Sequence, residues 1–216
     1  PDVGEPSGRA QGGGSRGDCL TALVPKTLTA SGQEILWGLT TSDRPTVWFH
    51  TSRGLSRGIP VEWMLQDKTG KPIYKTRFKA SATPPGVMSF SIPSTAAPLQ
   101  IGQSYYWTLS TYCAPLELNS STTPEDIDRP IVATLHGVIK RVTSPTLQSQ
   151  IASAKTPVEQ ASLYANRGVW YDALTTLGNH LQATPKDLTI ASVWAELLQQ
   201  AHLEISASFT PCCTAK

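Results

Sequence analysis

Residues 54–58, Gly-Leu-Ser-Arg-Gly, carry the G-x-S-x-G spacing of a hydrolase nucleophile elbow. That motif works where a sharp strand-to-helix turn lifts the serine above a parallel sheet. Here the segment runs into IPVEWMLQD, whose alternation predicts another strand, so Ser56 is expected in a turn with no helix N-terminus to build an oxyanion hole. His50, His136, His180 and His202 show no repeated metal-ligand spacing, and His50 and His136 fall inside predicted strands. Packing is the expectation for both, as it is for Trp63 and Trp107. Glu117, Glu125, Asp126 and Asp128 crowd the segment 115–130. Calcium favours such oxygen-rich loops, but the spacing of an ion-binding hand is missing, which predicts a solvated loop. Asn119-Ser120-Ser121 is a glycosylation sequon, meaningful where export machinery glycosylates. No residue is assigned a catalytic, cofactor-binding or metal-binding role, and no cofactor is expected.

Four cysteines remain: Cys19, Cys113, Cys212 and Cys213. None forms a C-x-x-C pair and no histidine stands at zinc-finger spacing, so disulfides are expected rather than structural zinc. Three pairings are open, because four cysteines allow three connectivities. A bond between the adjacent Cys212 and Cys213 would close a strained ring. Avoiding it with all four oxidised joins the C-terminal tail to both Cys19 and Cys113. The alternative is Cys19 with Cys113 and a reduced tail. Upstream of Cys19 lies GRAQGGGSRGD. It lacks the Gly-Lys-Ser/Thr ending of a phosphate loop, and its Arg-Gly-Asp triplet is short enough to arise by chance. The expectation is an arm, residues 1–17, that pairs as a strand with an edge of a neighbouring copy. Gly8, Arg9, Gly12, Gly13, Gly14 and Arg16 would be its contact residues. Glycines let a strand lie close against another backbone, and sheet edges accept such strands.

The elements that must position these residues follow from periodicity. Residues 1–33 are polar and turn-rich, with one apolar patch at 20–24. From 34 to 142 the period is two. Strands are predicted at 34–40, 46–52, 61–67, 72–78, 86–93, 104–113 and 131–142, each with one apolar face. KTG at 68–70 makes 61–78 a hairpin. After 142 the spacing becomes helical, with Leu163, Tyr164, Val169, Trp170, Ala173, Leu174, Leu177 and Leu181 on one stripe. Thr156-Pro157 and Thr184-Pro185 read as helix starts. Tyr164, Gly168, Trp170, Ala173 and Pro185 fall at the spacing of one tetratricopeptide helix pair, from which His180 departs.

The fold class expected is β-rich α+β: an antiparallel immunoglobulin-like β-sandwich followed by a small C-terminal helical domain with a tetratricopeptide-like hairpin. Its parts are an extended glycine-rich arm (1–33), the sandwich (34–142), the helical domain (143–205) and a tail (206–216) holding Cys212 and Cys213.

Charged residues make up only 16% of the chain, and the formal net charge is +2. Cytosolic proteins usually carry about a quarter charged residues. That low charge, with 17 prolines and 16 glycines, suits an exported, turn-rich β protein. The charge is too small, and too little clustered, for a nucleic-acid partner. No apolar run approaches the ~20 residues of a membrane-spanning helix. The first residues, PDVGEPSGRA, read as the start of a processed chain.

In order, GGGSRGDC, LTALVP, RPTVWFHTS, GQSYYWTLSTYC, LYANRGVWYDALTTL and VWAELLQQAHL resemble an exported cyanobacterial family, domain-of-unknown-function family 928. The similarity runs from about Gly8 to Pro211. It implies export and the β-plus-helical layout, and carries no activity. The function expected is a non-catalytic structural subunit of a secreted or cell-surface assembly, a filament-like homo-oligomer joined through the arm. The alternative is a secreted or periplasmic module binding a peptide or surface glycan through exposed tyrosine and tryptophan.

Overall fold

The computed structural model describes residues 19–29, 31–113, 131–203 and 211–214. Two short strands come first, β1 (Leu20–Ala22) and β2 (Lys26–Leu28). Both lie in the stretch expected to be arm. The apolar patch there is what recruits it: Leu20, Ala22, Leu23 and Val24 are all buried.

The seven alternating segments form β3 (Glu34–Thr40), β4 (Thr46–Thr51), β5 (Pro60–Gln66), β6 (Pro72–Lys79), β7 (Gly86–Ser91), β8 (Ser104–Cys113) and β9 (Ile131–Arg141). Helices α1 (Pro145–Ser153), α2 (Pro157–Ala165), α3 (Trp170–Ala183) and α4 (Leu188–Gln200) follow. A last strand, β10 (Pro211–Thr214), lies in the stretch expected to be tail. Among the described residues the fold is therefore β-rich α+β, with two sheets and four helices.

One sheet has the order β1-β4-β7-β10 and the other β2-β3-β9-β8-β5-β6. The antiparallel expectation is corrected at two pairs, because β3–β9 and β7–β10 are parallel. Parallel neighbours need long connections, and alternation within a strand cannot reveal which distant strand lies beside it. The predicted hairpin at 61–78 is β5 and β6, paired from Pro60–Lys79 to Gln66–Pro72.

The inner faces of the two sheets meet in an aromatic centre. Trp63 stacks on Phe90 and on Trp107, with centroids 5.5 and 5.7 Å apart. Phe49 meets Trp63 and Trp107 edge-on at 5.9 and 5.4 Å. Such contacts add to the burial of four large side chains, each worth roughly 1.5–3 kcal/mol or more.

The helices cover the outer face of the four-stranded sheet. Along β4, Val47 and Phe49 point to the inter-sheet core, whereas Trp48 points the other way into a second core with Leu174, Leu177, Leu181 and Trp194. Trp48 and Trp194 meet edge-on at 5.6 Å. The Trp48 ring fills the place where a side chain would sit at Gly178 on α3: an added Cβ would lie 2.5 Å from it.

Thr156 caps α2 as its sequence signature predicts, accepting from Glu159 N–H at 3.1 Å. A serine-proline pair, Ser144-Pro145, starts α1 in the same way. Thr184-Pro185 does not start a helix. Thr184 closes α3, and Asp187 caps α4 instead by accepting from Ile190 N–H at 3.1 Å. A carboxylate three residues nearer the apolar run satisfies the free N–H groups better placed for capping.

Candidate functional site

The two edges of the four-stranded sheet are made by the two ends of the described chain. β1 comes soon after residues 1–17 in the sequence, and it pairs with β4 from Leu20–Thr51 to Ala22–Phe49. The ladder is extended by Ser52 N–H donating to the Cys19 carbonyl at 3.1 Å. At the other edge β10 lies parallel to β7, with Pro211 opposite Val87 and Cys213 opposite Met88 and an irregularity between them. Edge strands leave one row of backbone N–H and C=O groups without a ladder partner, which is the chemistry of strand addition.

The arm residues Gly8, Arg9, Gly12, Gly13, Gly14 and Arg16 lie outside the described residues, as does Asn119. Glu117, Glu125, Asp126 and Asp128 do too. Cys19 is buried just before β1, Cys113 ends β8 opposite Ile131, and Cys212 and Cys213 belong to β10.

Ser56 is exposed in a turn and leads into β5, not into a helix. Gly54 and Gly58 flank it with φ of +70° and +85°. Gly54 is pressed against the Thr83 carbonyl, where an added Cβ would fall 2.0 Å from the oxygen, so this glycine is a packing requirement. Of the histidines, His180 Nε2 lies 2.9 Å from Asp187 Oδ2, joining the end of α3 to the cap of α4. His136 Nδ1 lies 3.1 Å from Thr108 Oγ1 across β8 and β9. Burial holds both His136 and His50 below the ordinary imidazole pKa, which favours neutral rings. Among the described residues no three His, Cys, Asp or Glu side chains converge as metal ligands.

The outer face of the six-stranded sheet presents Gln66 beside Tyr106, Met64 beside Thr108, and Glu62 beside Ser110. Tyr106, Thr108 and Ser110 are half-buried, and Glu62 pairs with Lys75 at 3.2 Å. A separate open groove of about 720 Å³ lies between α1 and α2, with Val158, Leu163, Ser149 and Ser153 among its walls.

Sequence reasoning missed the junction that fixes α3 to the six-stranded sheet. Tyr171, on the first turn of α3, reaches the inter-sheet core. Its hydroxyl donates to the Val138 carbonyl at 3.1 Å and accepts from Trp107 Nε1 at 3.0 Å. Desolvation raises its pKa strongly, against the Trp107 hydrogen bond, so the phenol remains a donor. Gly38 and Gly137 make room: an added Cβ would lie 3.0 Å from the Tyr171 ring and 2.2 Å from the Trp107 ring respectively. Beside it, Asp172 Oδ1 accepts from Thr41 Oγ1 at 2.8 Å and Oδ2 from Thr41 N–H at 3.2 Å. Burial raises the Asp172 pKa despite those bonds. The only sequence signal was the pair of glycines inside strand patterns, which often mark a close approach.

A family model described as Domain of Unknown Function (DUF928) matches residues 9–210. No curated protein matches the chain. Among solved structures, the C-terminal domain of wzt is 10% identical with a TM-score of 0.27, covering 58% of this chain and 78% of that one. Two structures of Parabacteroides merdae β-glucuronidase are each 11% identical, with TM-scores of 0.27 and 0.28. They cover 69% and 89% of this chain, which itself spans 23% and 34% of theirs. Likenesses this low carry no argument about fold or function. Among the described residues, no helix is long and apolar enough to cross a membrane.

Proposed function

We propose that this chain, which belongs to the DUF928 family, is a non-catalytic structural subunit of an exported assembly, joined to its neighbours by strand addition. The observation that carries the reading is the strand order of the four-stranded sheet. Its two edges, β1 and β10, are supplied by the two ends of the described chain. In this reading the glycine-rich residues that precede β1 in the sequence add as a strand to the matching edge of a second copy, and a head-to-tail contact of that kind grows without closing. An extracellular or cell-surface location goes with this reading, from the low charge and the buried Cys19. An immunoglobulin-like sandwich is supported by the β3-β9-β8-β5-β6 order with a buried tryptophan, Trp63, on β5. A tetratricopeptide-like hairpin is supported by α2 packing on α3 across a Gly168 turn with φ of +69°.

The test is deletion of residues 1–17. Sedimentation velocity and negative-stain electron microscopy of the full chain should show large, concentration-dependent species that the deletion abolishes. A full chain that stays monomeric at every concentration, or a deletion that assembles equally well, refutes the proposal. The second reading, a surface-glycan or peptide binder, draws on the Tyr106, Thr108 and Ser110 row. Retention on a polysaccharide affinity gel that is lost in Tyr106→Ala would favour it.

A further inference from the structure

We infer that Cys19 is bonded to Cys113, so that one disulfide ties the two sheets together and leaves the adjacent Cys212 and Cys213 outside it. Cys19 is disulfide-bonded, and Cys113, Cys212 and Cys213 are its three candidate partners. The strand order decides among them. Cys19 stands on the line of β1, held there by the Ser52 N–H bond to its carbonyl. Cys212 and Cys213 stand on the line of β10, with β4 and β7 between. Three strand spacings amount to about 14 Å. A disulfide needs Cα atoms within about 7 Å. The tail cysteines are therefore out of reach of Cys19.

Cys113 meets the requirement by topology. β4 ends at Thr51, next to Cys19, and the chain then crosses to the other sheet and begins β5 at Pro60. Thr111 Oγ1 donates to the Pro60 carbonyl at 3.2 Å, which places the end of β8 at that same crossing. Cys113 follows two residues later, opposite Ile131 at the start of β9. β1 lies against β9 from the facing sheet. Cys19 and Cys113 thus share one end of the layered core on opposing sheets.

The bond forms by thiol–disulfide exchange. One cysteine thiolate attacks a disulfide-bonded oxidant, the second displaces it, and the oxidant leaves as a dithiol carrying the two electrons and two protons. An oxidising compartment is where this product persists. The inference stands on strand geometry and does not depend on the assembly proposed above.

The experiment is a peptide map of the full chain exported into an oxidising compartment, with free thiols alkylated and no reductant added. Trypsin separates the cysteines into residues 17–26, 80–140 and 187–216. The expected result is a linked 17–26/80–140 species that splits on reduction, with 187–216 recovered apart from both. In Cys113→Ala, Cys19 should become fully alkylated. A link from 17–26 to 187–216, or an alkylated Cys19 in the unreduced full chain, overturns the inference.

Discussion

The Tyr171 hydroxyl ties α3 to two neighbouring strands of the six-stranded sheet, β8 and β9, which makes Tyr171→Phe an informative single change. The substitution keeps the ring and its packing and removes one oxygen. Two hydrogen bonds go with it: the one donated to the Val138 carbonyl at 3.1 Å and the one accepted from Trp107 Nε1 at 3.0 Å. Trp107 and Tyr171 are 0% and 2% exposed, so no bulk water replaces the lost partner. An orphaned buried N–H costs about 1–3 kcal/mol, and the lost carbonyl bond adds about 1. The expected destabilisation is about 2–4 kcal/mol, a fall in Tm of about 5–15 °C for a chain of this size.

Urea unfolding followed by tryptophan fluorescence measures it, with the midpoint falling and the m-value unchanged. Because the penalty lies in leaving Trp107 unpaired, Trp107→Phe combined with Tyr171→Phe should cost less than the two single changes added, with a coupling of at least about 1 kcal/mol. A Tyr171→Phe protein within about 0.5 kcal/mol of wild type, or a coupling near zero, would refute this account of the junction.

Gly178→Ala inverts an ordinary rule. Alanine should improve a helix interior by about 1 kcal/mol, but here its methyl falls 2.5 Å from the Trp48 ring. Trp48 is fixed by Thr175 Oγ1 at 3.1 Å, so overpacking wins and a net loss of about 1–3 kcal/mol is expected in the same urea assay. Asp172 sets a pH dependence. Its folded pKa is raised by burial, so its contribution is fully present below the ordinary carboxylate value and is lost as pH rises through the raised one. Stability measured across that window should fall in wild type relative to Asp172→Asn, and parallel curves would exclude the burial argument.

How much of this was legible in the sequence depends on how far apart the partners lie in the chain. Strands β3 to β9 could be read because alternation is local, and Val61, Trp63 and Leu65 declare their common face within five residues. The capping of α2 was legible for the same reason, since Thr156 and Glu159 are three residues apart. The first strand was hidden because three residues are too few to establish a period, and only burial of Leu20 and Ala22 reveals it. The last was hidden because β10 owes its existence to the edge of β7, more than a hundred residues earlier.

The junction shows why long-range sites resist such reading. Gly137 in a strand and Gly178 in a helix each look like weak points when judged by propensity alone. Each is the floor beneath a tryptophan from elsewhere, Trp107 and Trp48 respectively. Those two rings project from opposite sheets, and both are hydrogen-bonded to α3, through Tyr171 and Thr175. The helix therefore reads the positions of the two sheets through two indoles, and an error in either sheet would leave a buried N–H without its partner. That dependence makes α3 part of the same cooperative unit as the strands, although nothing in the local pattern after residue 142 announces a tie to residues 48 and 107.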